Sequence, residues 1–445
     1  MSNADRTNLQ IKKETSFGVA ATSAFELMRF TSETLTRETS TTNSATIRPD
    51  RNIEDVVRTS VNATLALSQE MDIQSSASRN GQLLQIAAVG AAAATPVTTT
   101  VFDQSGTNEF SLEVYNAAQT PVHGIARDAG TDDLTGYSVG DWIRLEVPNN
   151  LQATVGSAVN GGVSGGGYFR VTAAAAAALE LEGSEILVDQ VLTSDTKIRD
   201  ADLVFENGVA DTSFTVQKAF SDVDSGEGMQ GVGMTVDSYS ISVSPENIIT
   251  TNVTFQGQNA SHLSALTDTN RVEASTAEIL NAVDNVAGIY VKRGTSGQDT
   301  LMRPLSGVTS FEMNISNNLR MRNEVGTLGP ASFGQGAIDV NGTIQVYYDA
   351  ATSDIIEKLY EGFEDSSLAI ALESSKVNEG VGAETGATAT NNTTAVCIHL
   401  PRVKFIGATR TATGTGTDII AELSFQAFYD PAATAANTIN FAYFV

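Results

Sequence analysis

Apolar and polar residues alternate with a period of two through much of the C-terminal half of the chain. In Ser238–Ser244, Tyr239, Ile241 and Val243 are separated by serines. From Ile249 to Gln256, Ile249, Thr251, Val253 and Phe255 fall on one side, and Thr250, Asn252, Thr254 and Gln256 on the other. Pro245-Glu246-Asn247 lies between the two runs and has turn chemistry. The pattern predicts an antiparallel hairpin with one face buried.

The pattern recurs downstream. Phe311, Met313 and Ile315 alternate with Ser310, Glu312, Asn314 and Ser316, and a return strand is predicted over Ile338–Tyr348. The heptads SYSISVS (238–244) and SFEMNIS (310–316) align without a gap, which suggests a duplicated β-unit. Further strands are predicted at Val61–Ser68, Ser213–Ala219, Val396–Ile406 and Asp418–Tyr429. Helices are few. Ser353–Phe363 carries one stripe of Ile355, Ile356, Leu359, Tyr360 and Phe363, with Ser353 or Asp354 as its cap. A weaker helix is expected over about Asn80–Ala92, with Leu83, Leu84, Ala87 and Ala88 on its apolar side. Together these predict a mainly β protein: two packed antiparallel sheets with one or two flanking helices, plus an inserted small β-barrel domain.

Charge supports that division. The 445 residues carry 52 acidic and 26 basic side chains, net −26. Residues 1–96 are nearly balanced at net −1, 97–212 carry net −12 and 213–445 net −13. The expected organisation is an N-terminal arm and first part of a β-domain (1–96), an inserted small β-domain (97–212) and the remainder of the first domain (213–445). Within the insert, Val139–Leu145, Tyr168–Val171 and Ala178–Leu181 read as short strands, Gly161–Gly167 as a turn and Ala173–Ala178 as a loop or helical turn. Ser375–Thr394 reads as a long loop. An acidic chain of this size repels nucleic acid, which argues against a nucleic-acid reader.

The residues offer little chemistry. Three histidines, His123, His262 and His399, stand far apart with no metal spacing and read as surface or loop residues. Cys397, the one cysteine, sits in an alternating run and reads as a small core residue. Asp222–Gly226 begins like a calcium loop, but Gly233 stands where a twelfth-position carboxylate is needed. Asp354, Glu357, Glu361, Glu364 and Asp365 read as a solvated helix face. The N-terminus has no apolar segment of a secretory signal, and Leu83–Ala94 is too short to span a bilayer. No catalytic, metal or cofactor site is assigned, and no enzyme activity is expected.

Several ordered blocks resemble the phage tail tube protein family. They are Ser16-Phe17-Gly18, Leu35–Arg37 and Ser44–Arg51; Ser213–Lys218 with Gly233–Ser240; Ile315–Leu319 with Arg322 and Gly326; and Leu400–Lys404 with Asp418–Asp430. They cover most of 14–90 and 212–445, and the middle block is similar to a β-module inserted in some members. The resemblance implies a structural subunit whose six copies join edge to edge into a ring. The rings stack into a virion tail tube, assembled in the host cytoplasm, that contacts other tail proteins and passes DNA without specific binding, with no membrane and no cofactor. The stretch Thr36–Arg58 has few apolar anchors and is expected to order only on assembly. Arg37, Arg48, Asp50, Arg51, Asn317, Asn318 and Arg322 are the candidate inter-subunit contacts. A surface adhesin or carbohydrate-binding β-protein is the alternative; it would need an export signal. A β-rich hydrolase, the third reading, would need a deep pocket with perturbed acids.

Overall fold

The computed structural model describes residues 6–50, 52–74, 80–91, 95–96, 101–103, 109–114, 123–129, 134–146, 159–160, 167–192, 197–222, 227–264, 266, 270–294, 300–374, 394–412, 418–431 and 437–445. Nearly all of its regular structure is antiparallel strand. Eight strands follow one another in the order Ser32–Asn43, Val56–Glu70, Thr250–Gly257, Gly228–Val243, Val308–Ser316, Asp339–Tyr347, Ile420–Ala427 and Ala395–Thr411. Their alternate apolar side chains, among them Tyr239, Ile241, Val253, Phe255, Phe311, Met313, Ile344, Leu423 and Phe425, share one buried cluster.

Two strands are long enough to serve two sets of neighbours. The first half of Gly228–Val243 pairs with Ser213–Phe220, and its second half with Val308–Ser316 on the same edge. Ala395–Thr411 pairs first with Asn440–Phe444 and then with Ile420–Ala427. Its opposite edge carries Ser366–Glu373. The predicted hairpin is present with Ser242 opposite Thr250, and the second with Phe311 opposite Ile344.

The two matching heptads lie side by side. Tyr239 faces Ile315, Ile241 faces Met313 and Val243 faces Phe311. Aligned positions therefore exchange about a local two-fold centred on Ile241 and Met313. Three further strands flank each heptad in equivalent order. On the second side Gly342 sits where the first has Thr251. A Cβ on Gly342 would strike the Glu312 carbonyl and the Phe425 ring, so only glycine fits.

The helices differ from expectation. Asn80–Ala88 is helical, with Leu84, Ile86, Ala87 and Ala88 buried, but Gln82 and Gln85 are buried too. Gln85 donates to the Tyr239 hydroxyl at 3.0 Å and accepts from Tyr443, so it joins two strands that are far apart in the chain. The C-terminal helix begins earlier, at Ala350, and is capped by Asp349, whose Oδ1 accepts from Thr352 N at 2.8 Å. Neither Ser353 nor Asp354 is the cap. From Ile356 to Glu361 the helix widens to i→i+5 hydrogen bonding. The wider turn keeps Ile355, Ile356 and Leu359 buried but carries Phe363 out of the stripe into solvent, beneath the Lys404 ammonium at 3.9 Å. No helix among the described residues is long and apolar enough to cross a membrane.

A second sheet runs in the order Gln190–Leu192, Glu109–Glu113, Gly124–Ala129, Ala178–Gly183, Tyr168–Ala175, Trp142–Glu146, Lys197–Asp200 and Val101–Asp103. It has its own apolar cluster around Phe110, Ile143, Phe169 and Leu181. The alanine run is neither loop nor helix: Ala173–Ala175 continue one strand, Ala176 and Ala177 turn, and Ala178 starts the next. Leu203–Glu206, just beyond this sheet, pairs with Asn440–Phe444 and Thr95–Pro96. The two sheets are bolted together by buried groups. Glu373 accepts from the Tyr168 hydroxyl and stands 3.9 Å from Arg144; Tyr290 and Ser184 hydroxyls meet at 3.0 Å; Met302 N donates to Glu182 at 3.0 Å. The predicted turn at Gly161–Gly167 lies outside the described residues up to Gly166, as do Val223–Gly226 of the calcium-like motif and residues 375–393 of the long loop.

Candidate functional site

Ser32–Asn43 and Val56–Glu70 form a hairpin that outruns the rest of the sheet. They pair from Ser32 opposite Ser68 to Asn43 opposite Val56. From Thr36 to Asn43, and from Val56 to Thr59, every residue is exposed. Polar side chains on both faces gave no alternation to read, and this stretch was expected to be without order on its own. Its order comes from the backbone ladder together with bonds such as Thr36 Oγ1 to Thr64 Oγ1 at 2.6 Å and Asn62 to Glu38 at 2.9 Å. Threonine and valine favour that extended state.

At the tip, Ser44 N donates to Asp55 O at 2.8 Å. Arg48 grips Asp50 through two hydrogen bonds, at 3.0 and 2.9 Å, and lies 3.8 Å from Glu54. Arg48 first, and Asn52 second, hold the Asp50 carboxyl down at about 2. Arg48 and Asp50 are thus paired to each other within the loop, and Arg51 lies outside the described residues. Ile47 is 96% exposed and Ile53 63%.

A smaller hairpin, Arg320–Arg322 with Ser332–Gly334, stands against the root of this arm. Leu328 O accepts from Val61 N at 2.9 Å, and Gln258 reaches Pro330 O at 3.0 Å. Exposed Arg37 and exposed Arg322 therefore belong to elements that meet. The Arg322 guanidinium lies so close over Gly334 that a Cβ there would be 2.7 Å from it. Asn318 is exposed at φ 48 and donates to Ala337 O at 2.9 Å. Asn317 is buried inside the subunit, where it donates to Val236 O at 3.0 Å and reaches Ala87 O at 3.5 Å. Its amide ties the first helix to the sheet instead of facing outward.

Among the described residues, strand pairing stops at both edges of the eight-strand series, although Glu361, Phe363 and Asp365 lie against Arg410, Lys404 and Arg402 at the far edge. Ser32–Asn43 has Val56–Glu70 on one side and no strand on the other among the described residues. At the far edge, Lys404–Thr411 runs past the end of Ser366–Glu373. An unpaired row of backbone donors and acceptors is a template for another chain. At the end of Val56–Glu70 remote from the arm tip lies an exposed apolar patch of Ile248, Ile279 and Val283. Isolated bridges join Asp72 to Ile279 and Ile248 to Asn281. The 15-residue strand puts tip and patch about 50 Å apart at ordinary strand rise.

The solvent face of the series is concave, with a cavity of about 690 Å³ over its centre. Ser240, Ser242, Asn252, Asn314, Asn341, Thr343, Ser424 and Gln426 line it, and Glu312 is the single charged residue there. Many of the side chains on this face bond sideways across strands: Ser68 to Asn252 at 2.6 Å, Ser238 to Thr254 at 2.6 Å, Gln345 to Glu422 at 3.0 Å and Gln426 to Asp339 at 2.6 Å. Asp354, Glu357 and Glu361 are exposed as expected, and Glu361 and Asp365 pair with Arg410 and Arg402 at 3.1 and 2.7 Å.

Two histidines differ from their expected surface location. His123 is buried and accepts from Ile186 N at 3.1 Å, with Leu181 O 2.9 Å from its other ring nitrogen; His399 is buried against Trp142. Burial pushes His123 down from 6.5 to about 4 and His399 well below its usual range. Cys397 is a buried core residue, as expected. Among the described residues, no three of His, Cys, Asp or Glu gather as a metal would require.

The His123 shift fixes a pH response. Unfolded His123 takes up a proton below about 6.5, whereas the folded residue resists until about 4. Its contribution is complete above 6.5 and is lost as the pH falls through that window. Lowering the pH from 7 to 4 is expected to remove on the order of 3 kcal/mol through this residue. Urea titrations of wild type and His123→Gln at both pH values check this: the variant should lose less stability on acidification.

No curated protein matches the chain. A model of the phage tail tube protein family matches residues 4–427, which include the arm, both halves of the eight-strand series and the second sheet. The match spans nearly the whole chain, and with the β-sheet architecture it makes this protein a member of the phage tail tube family, a structural subunit of the virion tail.

Proposed function

We infer that six copies close edge to edge into a ring and that rings stack into the hollow conduit through which DNA leaves the virion. The observation that carries this reading is the arm hairpin, which is exposed on both faces. A lone two-stranded ribbon in water is marginal and gains most from a surface to lie on. Ring closure would pair the open Ser32–Asn43 edge of one subunit with the Lys404–Thr411 edge of the next. Stacking would seat the apolar tip, Ile47 and Ile53, on the Ile248–Ile279–Val283 patch of a subunit in the adjoining ring. Tip and patch differ and lie beyond opposite ends of the Val56–Glu70 strand, so the contact would be head to tail and propagate without limit.

In this arrangement Arg37, Arg322 and Asn318 border the arm root, where a neighbour would pass. Arg48 and Asp50 travel with the tip, and Asn317 acts from within by fixing the base. The concave face would form the inner wall; the charged side chains named on it, Glu312, Asp339 and Glu422, are acidic and would repel DNA instead of binding it. The unit of residues 97–212 is assigned to the outside, since a folded body within the channel would block it. Negative-stain microscopy of the purified full-length protein tests the reading. Rings or tubes are expected, and monomers persisting at every concentration would overturn it.

A further inference from the structure

Outside residues 92–212 the chain repeats itself in order. Thr7–Lys13, Glu26–Leu27, Ser32–Asn43, Val56–Glu70, the helix Asn80–Ala88, Ser213–Phe220, Gly228–Val243, Thr250–Gly257 and Asn259–Leu263 form a first set. Val286–Lys292, Met302–Pro304, Val308–Ser316, Asp339–Tyr347, the helix from Ala350, Ser366–Glu373, Ala395–Thr411, Ile420–Ala427 and Asn440–Phe444 form a second in the same succession. Each strand pairing within the first set recurs within the second. The irregularities recur too. One bulge falls between Val236 and Ser238 and again between Phe405 and Gly407; another falls between Phe214 and Val216 and again between Ser366 and Leu368. Met28 N donates to Leu9 O at 2.9 Å, and at the matching place Leu305 N donates to Ile289 O at 2.8 Å. Thr254, Phe255 and Gln256 stand where Ser424, Phe425 and Gln426 stand. Bulges are specific features of a strand pair, so their agreement in place marks two copies of one unit. This relation is a shift along the sheet, separate from the two-fold exchange of the heptads.

The sets meet through one pairing of their strands, Gly228–Val243 with Val308–Ser316. These are the sixth strand of the first set and the third of the second. The two outer edges of the eight-strand series are the third strand of the first set, Ser32–Asn43, and the sixth of the second, Ala395–Thr411. The outer edges are therefore the same two kinds of strand that already pair inside the chain. We propose that Ala395–Thr411 of one chain pairs with Ser32–Asn43 of the next in the register of that internal junction. The pairings fix the correspondence. Thr36 faces Thr64, which faces Gln256; Asn314 faces Asn341, which faces Gln426. Ser240 faces Asn252, and Thr409 faces Glu422. Ser240 lies opposite Asn314 inside the chain, so Thr409 would lie opposite the next chain's Thr36. Arg410 then faces Leu35, Ala408 faces Arg37 and Gly407 faces Glu38. The partner rests on the ring reading above; the register does not depend on how many chains close the ring.

The internal junction is apolar on its buried side, where Tyr239 faces Ile315 and Ile241 faces Met313. The outer edges carry Arg37 and Arg410 at the corresponding positions, and charged side chains on an edge discourage pairing with wrong partners. Glu361 lies 3.1 Å from Arg410 as a counter-charge on that face, and Asp365 lies against Arg402 and Lys404. The chain before Ser366 does not bar the edge. Its counterpart before Phe214 runs beside the internal junction, where Gln335 reaches Ala210 O at 3.2 Å, and the pairing from Ser238 onward is intact.

The test is oxidation of assembled full-length protein carrying Thr36→Cys and Thr409→Cys, read on non-reducing gels. Both positions are exposed, and the native Cys397 is buried. Directly opposed residues of antiparallel strands lie about 4.5–5.5 Å apart at Cα, within reach of a disulfide. Ser240→Cys with Asn314→Cys, the equivalent pair, is the control and should close within one chain without forming multimers. Chains linked in series are expected from the Thr36 and Thr409 pair, in about fivefold higher yield than from Thr34→Cys or Glu38→Cys combined with Thr409→Cys, which sample registers two residues away. Equal or higher yield from either shifted pair would overturn the register. Rings or tubes that give no inter-chain bond from any of the three pairs would overturn the strand pairing and leave the ring reading standing. Absence of assembly by the wild type at every concentration would overturn both.

Discussion

Replacing residues 44–55 by an Asn-Gly turn is expected to abolish tube formation while leaving the subunit folded. None of the described residues of this segment belongs to the buried clusters. Its polar contacts, Arg48 with Asp50 and Glu54 and Ser44 with Asp55, are internal to the part removed. The strands it joins end in register, Asn43 opposite Val56, so a two-residue turn closes them without slippage. The stability change should stay within about 1 kcal/mol, as for surface alterations generally. Point variants Ile47→Asp and Ile53→Asp should act in the same direction, because each would put a charge into an apolar contact between rings. Sedimentation velocity and microscopy read the outcome. Tubes of normal length from the shortened arm would remove the tip from the interface.

The largest stability effect is expected at Glu373→Ala, a loss of about 3–5 kcal/mol. Glu373 is 2% exposed and receives the Tyr168 hydroxyl, while Arg144, also buried, lies 3.9 Å away with its guanidinium over the Tyr168 ring. Truncation removes a buried carboxylate that faces the Arg144 charge and receives the Tyr168 hydroxyl. The double change Glu373→Met with Arg144→Met should recover much of the loss, because apolar groups of similar size avoid the desolvation cost of both ions. Denaturant midpoints of the three proteins decide it. A single variant as stable as wild type would show that the pair holds the sheets together only weakly.

Alternation made the core strands legible and left their ends unread. Tyr239, Ile241 and Val243 betrayed their strand because serines separate them, but the same strand begins at Gly228, in a glycine-rich stretch with no side-chain rhythm. Ala395–Thr411 likewise runs beyond Ile406 into Gly-Ala-Thr-Arg-Thr, where both faces are wet. The arm suffered most. A ribbon exposed on both faces carries polar residues on both, and that is also the pattern of an unstructured segment. Asn317 was grouped with exposed neighbours because sequence adjacency says nothing about direction: Asn317 turns inward and Asn318, at positive φ, turns outward. The helix cap was displaced because Tyr347–Asp349 leads straight into the helix, making Asp349 the first side chain able to reach Thr352 N.

If the proposed ring forms, the local two-fold about Ile241 and Met313 would bear on motion along its channel. A ring built from such subunits repeats its wall motif twice per subunit, so its angular relief is finer than the subunit count alone would give. A duplex sliding past would meet many shallow steps instead of a few deep wells, and no rotational setting would hold it for long. Low friction would then be a property of the internal repeat as much as of the charge.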